Sequence, residues 1–148
     1  MLRMIPKNIS PELMKILMEM GHGDEIVLGD ANFPGESVNS RVVRMDGVQI
    51  VSILEAVMPF FPLDDFVSEN VFLMSVVQGK GRQPDEWEAY EEILRKNDRE
   101  HAFRDFTKLE RQKFYDRARN AFAVVATGET KQYANIILKK GVVREEFI

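Results

Sequence analysis

The sequence contains no cysteine. That excludes a disulfide framework, thiolate-ligated zinc, an iron–sulfur cluster and thiol catalysis. Histidine is nearly as scarce, with two in the chain, too few for a histidine-built metal site. No internal repeat, low-complexity tract or Gly/Ser-rich linker interrupts it. No apolar run approaches the ~18 residues of a spanning helix. Pro6 and Lys7 cut the apolar start too early for a signal-peptide core, so a cytoplasmic protein without membrane contact is expected. Asn8-Ile9-Ser10 has the form of a glycosylation sequon, which has no meaning without secretion. A net charge of −4 and a pI near 5.3 argue against a dedicated nucleic-acid binder. The most basic stretch, Arg95 to Arg119, is interleaved with Asp98, Glu100, Asp105, Glu110 and Asp116 and reads as a solvated helical face rather than an RNA- or phosphate-binding stripe.

What is present is a globular composition: 148 residues, 45% hydrophobic, with ten Phe. A chain of this length buries roughly two-thirds of its unfolded surface, and a single domain over residues 1–148 is expected. A helix is predicted from Pro11 to Met20, capped by Ser10, with Leu13, Ile16, Leu17 and Met20 on one face and Gly21 as its left-handed terminator. Glu25–Leu28 is a strand running into Gly29-Asp30; 31–40 is a loop; Arg41–Arg44 is a short strand. Asp46 with Gln49 has the form of a capping pair opening a deeply buried helix to Met58. Val71–Val77 is a buried strand. Pro84-Asp85-Glu86 opens a helix that places Trp87, Tyr90 and Leu94 on one face, with Glu91/Arg95 and Glu92/Lys96 pairs outside. A helix from Glu110 to Asn120 and strands at Phe122–Ala126 and Ile136–Leu138 complete the series. Alternating helices and apolar strands give an α/β class, a central sheet flanked by helices.

Three places could carry chemistry. His22 lies between Gly21 and Gly23 at a helix-to-strand junction, and Asp30 follows the next strand at its carboxyl end, where open α/β sheets bind ligands. Imidazole titrates near neutral pH and can give or take a proton, and a carboxylate can orient it or hold sugar hydroxyls. The alternative is a turn residue and a loop cap. The glycines precede the strand and a third is missing, so this is no dinucleotide fingerprint. Arg111, in the first turn of its helix, faces the dipole unfavourably; its guanidinium is suited to clamp a hydroxyl or carboxylate, and the alternative, favoured by pattern alone, is a surface arginine. Tyr133 and Asn135 bracket Ala134 in what reads as extended backbone, so both should point one way with donors and acceptors suited to sugar hydroxyls. His101 reads as solvated and Trp87 as core. There is no Walker loop, Gly-x-Ser-x-Gly elbow or zinc helix.

Gly21-His22-Gly23-Asp24-Glu25, Asp30-Ala31-Asn32-Phe33-Pro34, and Thr127-Gly128-Glu129 followed by Tyr133, Asn135 and Leu138-Lys139-Lys140-Gly141 closely resemble the RbsD/FucU family, which contains the L-fucose mutarotases and the D-ribose pyranases. The likeness runs nearly end to end, and the mutarotase branch fits better. It implies a three-layer α/β subunit in a homodecamer of two pentameric rings, a pocket near a subunit boundary, and neither metal nor organic cofactor. It places the general acid/base on His22 and substrate binding on Asp30, Arg111 and the segment Tyr133-Ala134-Asn135; the chemistry of ring opening adds Tyr133 as the partner of His22. Many members have glycine at the place of Ala134 and histidine at that of Asn32, and residues from about Arg82 to Lys108 match poorly.

The implied reaction, exchange of the α and β anomers of L-fucose, asks for these residue types. O1–H loses a proton while the ring oxygen gains one; the freed aldehyde turns and closes on its other face. No carbon–hydrogen bond breaks and no electrons leave. Pyranose/furanose exchange of ribose and sugar binding without catalysis are the rival readings.

Overall fold

Ser10 caps helix α1 (Pro11–Glu19) in the computed structural model, which describes residues 1–148. Its hydroxyl accepts the Leu13 N–H and Pro11 occupies the first turn. Leu13, Ile16 and Leu17 are buried. The terminator differs from expectation. Met20 turns extended, the Asp24 carboxylate accepts the Gly21 N–H, and the left-handed residue is Gly23 at φ 86°, whose N–H donates to the Lys140 carbonyl.

Strand β1 (Glu25–Gly29) leads to a stretch expected as loop, where α2 (Gly35–Val38) forms a single turn. After β2 (Val42–Met45), Asp46 does not cap the next helix, because its carboxylate pairs with Arg44. Met45–Val48 is a turn, and α3 (Ile50–Val57) starts at Gln49 without a side-chain cap. Strand β3 (Val71–Met74) stops short of Val77. Helix α4 (Glu86–Asn97) buries Trp87, Tyr90, Ile93 and Leu94, and its Glu91–Arg95 pair forms at 2.8 Å. Strand β4 (Thr107–Leu109) was not legible, since three residues with an exposed lysine at the centre carry no apolar period. In α5 (Arg111–Asn120) the cap is Glu110, whose carboxylate accepts the Gln112 and Lys113 N–H groups at 3.1 and 2.8 Å. That negative charge at the helix start offsets the unfavourable place of Arg111. Strands β5 (Ala123–Thr127) and β6 (Ile136–Lys139) follow.

The six strands form one sheet in the order β2-β5-β1-β6-β3-β4. Strands β2, β5 and β1 are mutually parallel, as are β3 and β4, and β6 runs antiparallel to both β1 and β3. Five strands therefore point one way and β6 alone points back. Side chains alternate between two cores. Ile26, Leu28, Val125 and Leu138 face α1, α3 and α4, whereas Val27, Phe72, Val124 and Ile137 face Phe114 and Ala118 of α5. The architecture is the expected three-layer α/β arrangement, its sheet mixed. No helix is long and apolar enough to cross a membrane.

Candidate active site

The strand directions place the chemistry. The carboxyl edge of the sheet gathers the ends of β1, β3 and β4 and the start of β6. There a cavity of about 310 Å³ is lined by Asp30, Met74, Arg111 and Asn135, one from each of these points, together with Tyr133 and Gln132. Asn32, Phe33 and Tyr115 form the remaining wall. Phe33 packs edge-on against Tyr115 at 5.6 Å, and the Arg111 guanidinium lies 5.3 Å from the Tyr115 ring centre. A larger concavity, about 980 Å³, lies between the N-terminal segment and α1, and half of the residues lining it are methionine, leucine or isoleucine. The smaller cavity is the one equipped for polar chemistry.

Asp30 is 8% exposed. Its Oδ1 accepts the Asn32 N–H at 2.9 Å, and its own N–H donates to Asn135 Oδ1 at 2.7 Å. The latter bond takes the Asn135 amide oxygen, so the side chain's amide nitrogen is turned to the Asp30 carboxylate and the cavity beside it. Burial pushes the Asp30 carboxyl above the ordinary aspartate value; the Asn32 and Phe33 N–H groups and Asn135 oppose this, and nearby Glu129 adds to it.

Tyr133 and Asn135 do face one cavity, for a reason other than the one expected. Tyr133 is left-handed, at φ 61°, not extended. Ala134, expected to bind substrate, is fully buried in the apolar core and is not among the residues lining the cavity. The left-handed residue is the tyrosine, so alanine in place of glycine at 134 meets no positive φ. The Tyr133 hydroxyl donates to the Lys80 carbonyl at 2.8 Å and accepts the Val77 N–H at 3.4 Å.

His22 lies elsewhere. It precedes β1 whereas Asp30 follows it, and a five-residue strand spans on the order of 15 Å. The expected constellation of His22 with Asp30 and Tyr133 is therefore not assembled within one chain. At its own edge, the His22 side chain is 44% exposed and its Nε2 lies 3.0 Å from Oδ1 of Asp64, which is 2% exposed. The same Oδ1 accepts the Phe66 N–H, and the Phe66 ring centre lies 4.9 Å from the imidazole. A carboxylate in its ionised form only accepts, so paired with it the imidazole donates from Nε2 and keeps Nδ1 as its acceptor. Sequence reasoning missed Asp64, which is remote in the chain, and the Met74, Tyr115 and Gln132 walls. His101 is exposed and Trp87 is core, as expected.

Fold and site together define an α/β protein with a polar-lined cavity at the carboxyl edge of its sheet. The chain belongs to the RbsD / FucU transport protein family, which it matches over residues 3–143. It is 44% identical over 142 residues to the L-fucose mutarotase of Actinobacillus pleuropneumoniae serotype 5b, covering 96% of this chain and 97% of that one. It is 49% identical over 146 residues to the fucose mutarotase of Mus musculus, covering 95% and 94%. The crystal structure of the fucose mutarotase from Streptococcus pneumoniae in complex with L-fucose superposes with a TM-score of 0.88 at 49% identity, over 97% of this chain and all of that one.

Proposed function

We infer that this chain is an L-fucose mutarotase, an isomerase that interconverts the α and β anomers of L-fucose by opening and closing the hemiacetal ring. The observation that carries the reading is the polar cavity at the sheet's carboxyl edge, in a chain whose near-full-length relatives are named for this activity. Asp30, Arg111 and the amide nitrogen of Asn135 offer an acceptor and donors to sugar hydroxyls, while Phe33, Met74 and Tyr115 cover the apolar faces of the ring. Opening needs one proton taken from O1 and one given to the ring oxygen, which a neutral imidazole and its conjugate acid can supply in turn. In this reading His22 is that group, its tautomer held by Asp64. Tyr133 is its partner once the phenol exchanges the Lys80 carbonyl for a sugar oxygen.

The distance between His22 and Asp30 in one chain supports a further element of the reading. The working site joins the His22–Asp64 edge of one copy to the Asp30 cavity of a second. Phe66, 67% exposed beside His22, is an apolar group that such a junction would cover. A closed homo-oligomer supplies this contact to every copy, and a decamer of two pentameric rings is the assembly we propose. A cysteine-free isomerase suits the cytoplasm.

Saturation-transfer NMR between the two anomeric protons of L-fucose tests the activity. Wild type is expected to accelerate exchange over buffer and His22→Ala to lose roughly 10²–10⁴-fold. Exchange unchanged in the variant contradicts the assignment of His22. The same measurement on D-ribose separates this reading from pyranase activity.

A further inference from the structure

The segment that brings Tyr133 and Asn135 to the cavity does not hold its own shape. An aromatic residue at positive φ persists only where its surroundings impose that conformation. Two consecutive carbonyls of this turn are taken by one helix. The Trp87 indole Nε1–H donates to the Tyr133 carbonyl at 2.8 Å, and the Tyr90 hydroxyl donates to the Ala134 carbonyl at 2.8 Å. Trp87 and Tyr90 are three residues apart on α4 and so share a face. Both are buried, at 4% and 0% exposure, among apolar neighbours where an unpaired carbonyl would be costly. On the other side, Gly81 at φ 124° lies against Tyr133; a Cβ there would come within 3.0 Å of the ring.

We propose that Trp87 and Tyr90 are positioning residues for the sugar site, their two donors locking the 133–134 carbonyls so that Tyr133 and Asn135 converge on the cavity. The proposal rests on the reading of that cavity as the fucose site. The two residues touch no substrate; they act through the backbone of the residues that do. Burial drives the Tyr90 hydroxyl well above its ordinary range, so it remains a donor throughout the working pH range. Loosening the turn weakens the hold of Asn135 on the sugar, which raises KM, and displaces Tyr133 from the reacting oxygen, which lowers kcat.

The test is the kinetics of L-fucose anomer exchange by Trp87→Phe and Tyr90→Phe, which keep the rings and delete the donors, at a temperature where circular dichroism shows each to be folded. Ile93→Val, on the same helix and away from the turn, controls for packing loss. We expect KM to rise roughly five- to tenfold in each donor variant, with kcat falling as well because Tyr133 is displaced. The control should lower Tm without moving KM. A KM within about twofold of wild type in the folded donor variants overturns the proposal.

Trp87 is the chain's one tryptophan, so its emission gives a second readout on unmodified protein. A saturable change on adding L-fucose is expected, and a flat titration in a protein that exchanges anomers overturns the proposal even if a variant fails to fold. A wild type without exchange removes the mutarotase reading and this one with it. An active wild type with unmoved KM in the variants removes this one alone.

Discussion

At the residue scale, the cavity contains a carboxyl group that stability alone would not choose. Asp30 is nearly buried and its folded pKa lies above the ordinary value of 3.8. Below 3.8 the carboxyl is protonated both folded and unfolded, and burial adds no electrostatic penalty. As the pH rises through the folded value, the charged form must be held in a poorly solvated place, and the penalty is fully present above it. Asp30→Asn keeps an oxygen for the Asn32 N–H and removes the charge. It should stabilise the protein at neutral pH and lose that gain as the pH falls through the raised folded value, while fucose exchange is lost. Urea denaturation of both proteins at several pH values measures it, and a gain that does not depend on pH would contradict the assignment. The sequence exposed Asp30 through its place directly after an apolar strand. It gave no sign of Asp64, because a hydrogen bond across 42 residues depends on the tertiary path between α3 and β3.

At the scale of elements, whatever had a clear apolar period could be read beforehand. The Ser10-Pro11 start of α1, the buried face of α3, the Trp87–Tyr90–Leu94 stripe of α4 and the runs in β1, β5 and β6 all sit where their patterns placed them. Short or polar pieces could not. Strand β4 is set by pairing with β3, and α2 by closure of the chain over β5. The direction of β6 was also invisible, since burial on both faces hides whether a strand runs with or against its neighbours. Asp46 shows how a local signal loses to a competitor: its carboxylate is claimed by Arg44 before it can cap α3. The turn at Asp46 also presses on Gly128, just past β5. A Cβ at 128 would run into the Asp46 backbone carbonyl oxygen, and backbone cannot yield as a side-chain tip does. Gly128→Ala should therefore cost about 2–4 kcal/mol, seen as a lower urea midpoint at unchanged m-value. A loss under about 0.5 kcal/mol would mean that the two segments separate freely.

At the scale of the whole molecule, proximity in sequence misleads. His22 and Asp30 are eight residues apart and read as one constellation, yet β1 carries them to opposite edges of the sheet. A five-residue strand between two functional residues implies separation in one chain, and only a second copy can bring them together. The direct measurement mixes two variants. His22→Ala and Asp30→Asn, each inactive alone, are unfolded together in equal amounts, refolded and assayed for L-fucose anomer exchange. If each site takes His22 from one copy and the Asp30 cavity from another, random assortment leaves about one quarter of the sites intact, and roughly a quarter of wild-type activity should return. If both residues serve a site within one chain, every site stays defective, and a mixture that remains inactive while assembling like wild type would contradict the shared site.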